Sequence, residues 1–456
     1  MLAHSPPLPF VIDYRLDKDD GITVEDEEGA ILALKQYDRV RRVRLLMPVT
    51  GLQKLIVAMV DEYPILEYLI IGHQEWDTSS ILIFPETFQA PHLRHLTLSG
   101  FTLPIGSRLL TTAASLVTLC LLMFHPSTYF HPNTLLQWLS SMPQIETLIF
   151  VFFNPVPNRD IERQLSHTPM MTATTLPNLH HFAFQGAGTY LGAILHWTSA
   201  PRLEKLQINF FNQLTFSVQP LLQFVSTTEN LRFKSAKFEF GGEDVVVKVY
   251  PHEEAKTYSL SITVDCYHLD WQVTSAAQVS SLLSPTFSGV EHLTLGHSVH
   301  SQSSEEHHEA DPTEWHKILR SFRNVKTLHI AKGLVEELSR CLELDYGELF
   351  SELLPELQEL TYSGSGNTGD RFTSFINARQ DAGLSITLIR RSSSPDPSSF
   401  MSSVKPSSIT PARGEAGNDL DIEFDLDIRT SELYIHHLDQ HPSYRVSFPP
   451  QRRHSR

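Results

Sequence analysis

The chain has 456 residues, 41% hydrophobic and 19% charged, which is enough apolar material for a sizeable core and excludes a disordered or fibrous chain. A formal charge of −16 at pH 7 argues against a nucleic-acid partner, since phosphate binding needs clustered Lys and Arg. No apolar run reaches the ~20 residues that span a bilayer, and the opening residues lack the basic and apolar regions of a secretory leader. Cys120, Cys266 and Cys341 are far apart and odd in number, as suits reduced thiols. These features predict an intracellular protein, cytoplasmic or nuclear, with no membrane partner.

Along the chain, one pattern recurs: apolar residues at the first, fourth and sixth positions of a six-residue segment. It starts at Val40, Leu66, Leu93, Leu116, Ile145, Leu179, Leu203, Val290, Val325 and Leu357, at intervals of 26, 27, 23, 29, 34, 24, 87, 35 and 32 residues. A degenerate copy at Leu231 divides the long interval. Each segment is long enough for one strand, with the fourth and sixth residues turned inward and the third and fifth outward. Between segments, apolar residues recur at steps of three and four, as in residues 52–62 and 133–140, which predicts helices. Pro64, Pro91, Pro143, Pro177 and Pro201 then stop each helix ahead of the next strand.

Residues 237–264 alternate differently. Phe238 and Phe240, then Val245 to Val249, then Leu260, Ile262 and Val264 read as three strands, with Gly241, Gly242 and Pro251 at the turns. A small β-meander is expected there, replacing or covering one repeat. Residues 392–414 are rich in Ser and Pro and predict a disordered linker. Beyond it, residues 419–428 alternate acidic and apolar side chains, which fits either a solvated acidic tail or an added strand.

The predicted fold is therefore α/β: a leucine-rich-repeat solenoid over residues 1–390, with a curved parallel sheet inside, helices outside and the meander at 237–264. Residues 391–456 are expected to be mostly disordered. The surface best suited to function is the concave strand face, where outward residues of successive strands stand in columns on a rigid support. Its candidate protein-binding residues are His95, Thr97, Thr118, Cys120, Thr147, Ile149, Val151, His181, Lys205 and Gln207. Ile149 and Val151 read either as an apolar binding patch amid polar neighbours or as residues covered by the following loop, and Cys120 would be a small surface residue.

Two motifs suggest chemistry. Gly364, Gly366 and Gly369 have the spacing of a dinucleotide-binding turn, but a glycine-rich turn between strand and helix is also ordinary in a repeat protein. Glu305, Glu306, His307, His308, Glu309 and Asp311, with His316 beyond, offer metal donors without a diagnostic spacing. No catalytic residue, cofactor or metal is expected, and a binding protein is favoured over an enzyme, the alternatives being a nucleotide-cofactor enzyme using the Gly364–Gly369 loop or a free-standing scaffold.

Several stretches resemble the F-box-like leucine-rich-repeat proteins of mushroom-forming fungi. They are Met1 to Ser5 with Pro9 to Ile12, then Leu269, Asp270, Trp271 and Gln272, then Val290 to Leu293, residues 315–330, residues 354–360 and residues 375–380. The resemblance covers most of residues 1–390. It implies the target-recognition part of a ubiquitin-ligase subunit, in which the repeats grip a protein target and an F-box grips the adaptor. These residues hold no F-box-like helical segment ahead of the repeats, so adaptor binding is not carried over.

Overall fold

The computed structural model describes residues 8–15, 24–59, 62–73, 82–104, 106–123, 128–153, 173–211, 219–297, 310–343, 353–363 and 372–391. All lie in one of two compact units, Met1–Ser394; the other is Pro395–Arg456. The serine- and proline-rich linker, the acidic–apolar tail, the Gly364–Gly369 loop and residues 305–309 lie outside the described residues.

Among the described residues, fifteen strands form one sheet. In spatial order they are Phe10–Arg15, Val40–Leu46, Tyr68–Gly72, His95–Ser99, Thr118–Met123, Thr147–Phe152, His181–Gly186, Lys205–Phe210, Leu260–Asp265, Asp244–Tyr250, Ser235–Phe240, His292–His297, Thr327–Ile330, Glu359–Ser363 and Thr387–Arg391. Apart from the two junctions of Asp244–Tyr250, every neighbouring pair is parallel. The molecule is thus mixed α/β with a large, mostly parallel sheet.

The repeat pattern explains the register. The first, fourth and sixth residues of all ten segments, from Val40, Val43 and Leu45 to Leu357, Leu360 and Tyr362, are at most 2% exposed. Parallel pairing aligns them strand to strand: Leu96 with Leu119, Leu119 with Leu148, Leu148 with Phe182 and Phe182 with Leu206. They belong to one contiguous apolar core shared with the helices. A slip of one residue would expose this whole set, so the hydrophobic pattern fixes the register.

The prolines ahead of the strands have a narrower task than ending helices. The first residue of a repeat donates its N–H to the carbonyl three residues back: Leu66 to Tyr63, Leu93 to Ala90, Ile145 to Met142, Leu179 to Leu176 and Leu203 to Ala200. Each closes a turn whose second residue is Pro64, Pro91, Pro143, Pro177 or Pro201, where the fixed φ of proline suits the chain reversal.

Helices fill most of the connections, whereas the described residues ahead of His95–Ser99 and of His181–Gly186 hold only the short strands Leu82–Ile83 and Thr174–Thr175. Pro132–Ser140 begins at His131, whose Nδ1 accepts the Asn133 N–H, and buries Leu135, Leu136, Trp138 and Leu139. Pro312–Arg320 has Asp311 as its cap, Pro312 in its first turn and Lys317 and Arg320 in its last, and it turns Trp315, Ile318 and Leu319 inward. The helix expected over residues 52–62 is instead Val49–Val57. Its start follows Pro48, and Val49, Leu52, Leu55 and Ile56 form its buried stripe. Successive helices pack on one another, including Gly188–His196 on Gln219–Thr227 and Leu269–Phe287 on Pro312–Arg320. Because the parallel crossovers all step the same way, the helices form one layer.

The meander lies within the sheet. After Gln219–Thr227 the chain enters Ser235–Phe240, three places beyond Lys205–Phe210, and fills the gap backwards with Asp244–Tyr250 and Leu260–Asp265. The 19-residue helix Leu269–Phe287 then packs over the meander on the way back. Gln272 pins it, donating from Nε2 to the carbonyls of Gly241 and Cys266. The copy expected at Leu231 has the repeat turn, with the Leu231 N–H on Thr228, but its strand register starts two residues later, at Phe233. Two additional residues between turn and strand hide this offset from the sequence pattern.

Candidate functional site

The face turned away from the helices is organised in rows across the strands. The third residues align as Arg42, Tyr68, His95, Thr118, Thr147, His181 and Lys205, and after the meander as His292, Thr327 and Glu359. The fifth residues align as Arg44, Ile70, Thr97, Cys120, Ile149, Ala183, Gln207, Ser261, Lys248, Lys237, Thr294, His329 and Thr361. One step further along each strand lie Gly72, Ser99, Leu122, Val151, Gln185, Asn209, Thr263 and Val246.

These rows differ in accessibility, which corrects part of the sequence reading. His95, Thr97, Thr118, Thr147, His181 and Lys205 are partly exposed. Cys120 is 1% exposed, Val151 3%, Ile149 7% and Gln207 8%. Neither an apolar binding patch at Ile149 and Val151 nor the expected surface thiol at Cys120 is present. Strand alternation determines which face a side chain takes, not whether its neighbours leave that face open. Cys120, Ile149 and Ala183 stand side by side between two further rows and shield one another. They are buried on this face and lie outside the contiguous core on the helix side.

The third row is pre-ordered by side-chain contacts. The Arg42 guanidinium sits 4.9 Å from the centre of the Tyr68 ring, Tyr68 and His95 have ring centres 5.6 Å apart, and His95 Nδ1 is 3.2 Å from Thr118 Oγ1. At the other end Lys205 Nζ lies 5.0 Å from the centre of the Tyr258 ring, and Tyr258 donates its hydroxyl to Gln207 Oε1 at 2.6 Å. Burial holds the His95 pKa below the usual imidazole range, helped by Arg94 and Arg42. Burial, with Lys205 beside it, takes His181 down to about 4. Both rings are therefore neutral at pH 7.

A second cluster occupies the meander. Lys237 and Lys248 stand opposite each other on antiparallel strands, and Glu239 bonds both, at 2.6 Å and 3.0 Å. Burial works against the Glu239 charge, but the two lysine hydrogen bonds dominate and bring its pKa to about 2.

The sequence reading missed the second residues of the repeats. The carbonyl of this residue accepts two N–H donors from the next repeat: Glu67 from Arg94 and His95, Arg94 from Val117 and Thr118, and His180 from Glu204 and Lys205. Their side chains form ion pairs along the edge of the sheet: Arg41 with Glu67 at 2.9 Å, and Glu291 with both Lys234 and Lys326 at 2.6 Å and 2.7 Å. The alternating charge at this position was the available signal.

For the metal candidate, Asp311 is the cap of the helix Pro312–Arg320 through the Thr313 N–H at 2.8 Å, and His316 Nε2 lies 3.0 Å from the Cys341 carbonyl. Both have structural employment, and among the described residues no group of three His, Cys, Asp or Glu is placed to hold a metal. Among the described residues no helix is long and apolar enough to cross a membrane. No protein-family model matches the chain, and comparison with curated proteins returns no match.

Proposed function

We propose that the sheet and its helices are a leucine-rich-repeat solenoid that recognises a protein target, and that the chain is the target-binding part of an F-box-type ubiquitin-ligase subunit. One observation carries the recognition half of this reading. Ten repeats bring single residues of successive strands into rows, and the third row is accessible from Arg42 to Lys205 and again from His292 to Glu359, on either side of the meander. A row held by a hydrogen-bonded sheet offers many contact points at little cost in ordering, which is what a protein partner needs. The ligase half rests on the resemblance of residues 269–272, 315–330, 354–360 and 375–380.

The test uses the full chain as bait and quantifies recovered proteins against a Thr118→Arg/Thr147→Arg variant, which crowds the third row without touching the core. A target recovered reproducibly by the parent chain and lost by the variant is the expected result. Equal recovery by both would end the strand-face reading. Saturable binding of a nicotinamide cofactor, abolished by Gly366→Val, would favour the enzyme alternative. Calorimetry against purified adaptor addresses the ligase half: stoichiometric association would place an adaptor site on this chain, and none would leave a free-standing scaffold.

A further inference from the structure

The chain carries 52 acidic residues in 456. Yet the three rows that cross from strand Val40–Leu46 to strand Asp244–Tyr250 contain no aspartate or glutamate. The rows run from Arg42 to Tyr250, from Arg44 to Lys248 and from Leu46 to Val246. The same rows contain Arg42, Arg44, Lys205 and Lys248. In a protein of net charge −16, nine neighbouring strands with four cations and no acid in these rows are a local departure from the overall sign, bounded by Asp13 opposite Arg44 and by Glu239 opposite Val246.

These four cations are not all alike. Lys248 is neutralised by Glu239, just as Arg41 is by Glu67 on the edge row. Arg42 and Lys205 instead rest on the tyrosine rings of Tyr68 and Tyr258, and among the described residues neither forms an ion pair with a carboxylate. A ring-stacked cation has already given up rotamer freedom, so a partner carboxylate meets it at reduced entropic cost. The residues between them, His95, Thr118, Thr147 and His181, are neutral hydrogen-bonding groups. Six strand spacings of ~4.8 Å separate the two cations, roughly 29 Å, the span of about nine residues of extended chain.

We propose that the row from Arg42 to Lys205 takes an extended acidic segment of a partner protein, with carboxylates at both ends and small polar residues between. This rests on the protein-recognition reading above and specifies the partner's chemistry. A nucleic acid fits less well, because its phosphates repeat at every nucleotide while the row offers cations only at its two ends.

The probe is a fluorescein-labelled nine-residue peptide with two glutamates at each end and five serines between, titrated with the full chain and followed by anisotropy at low and physiological salt. Saturable binding is expected, weakening as salt rises, with about tenfold loss in Arg42→Glu/Lys205→Glu and no loss in Arg320→Glu on the helix side. Arg42→Gln/Lys205→Gln, whose circular dichroism should match the parent, is expected to lose several-fold and excludes misfolding as the cause. No saturable binding, equal binding of the peptide with lysines in place of glutamates, tighter binding of a nine-nucleotide deoxythymidine strand, or unchanged affinity in Arg42→Glu/Lys205→Glu would each overturn the proposal. If those variants still recover the protein target while Thr118→Arg/Thr147→Arg does not, the acidic-segment proposal fails alone and the strand-face reading survives.

Discussion

Arg379 shows how a single charged side chain is tolerated in the interior. It is 1% exposed, and its guanidinium donates to the carbonyls of Leu353 and Pro355 at 3.1 Å each, clamping the turn that leads into Leu357. Arg379→Ala would leave both carbonyls unpaired and a cavity behind them, costing about 3 kcal/mol in a denaturant titration. Arg379→Lys should recover little, because one ammonium cannot span two carbonyls as the planar fork does. His181 makes stability depend on pH. Its pKa in the folded protein is about 4, below the unfolded value near 6.5, so its contribution is complete above pH 6.5 and is lost as pH falls toward 4. His181→Gln should remove about 2 kcal/mol of that slope between pH 6.5 and 4, measured as the change in unfolding free energy at each pH. Burial pushes the thiols of Cys120, Cys266 and Cys341 up to about 12. All three should resist iodoacetamide in the native protein at pH 8 and react on unfolding, by mass spectrometry; rapid native labelling of Cys120 would show an open fifth row.

At the scale of the element, the meander concentrates the electrostatic strain that the parallel repeats avoid. Lys237 and Lys248 face each other across the antiparallel pair, an unfavourable arrangement without the shared Glu239. The folded pKa of Glu239, about 2, lies below its unfolded value, so its stabilisation is present above pH ~4.5 and is lost as pH falls toward 2. Glu239→Gln should flatten acid unfolding within that window and lower stability at pH 7 by about 1 kcal/mol, after discount for partial exposure. A steep acid transition retained in the variant would place the sensitive carboxylate elsewhere. In the repeats starting at Leu66, Leu93, Leu116, Ile145 and Leu179 the turn before the strand, the inward triplet and the bifurcated carbonyl of the second residue all set the same register. That agreement among local features is why the strand positions could be read one repeat at a time.

Across the whole molecule, stability should be distributed unevenly. Leu206 has a strand on either side and the helix layer above it and is fully buried, whereas Ile389 on the terminal strand Thr387–Arg391 is 37% exposed. Leu206→Ala should cost about 3 kcal/mol, and Ile389→Lys less than about 0.5 kcal/mol, both from chemical denaturation. Comparable losses at the two sites would mean that the sheet edge is covered in solution. The sequence by itself determined the ten strand segments and the inward residues of each, because a buried parallel sheet demands the same apolar triplet in every repeat. It determined the meander too, through its change of period. Tertiary structure decided what no single repeat contains. Phe10–Arg15 became a strand by pairing with Val40–Leu46, and the unit begun at Leu231 shifted by two residues to meet His292–His297. Ile149, Val151, Cys120 and Gln207 closed while His95, Thr118 and Lys205 stayed accessible. Outward orientation is a local property of a strand, but accessibility depends on side chains that adjoin only after the strands are laid side by side.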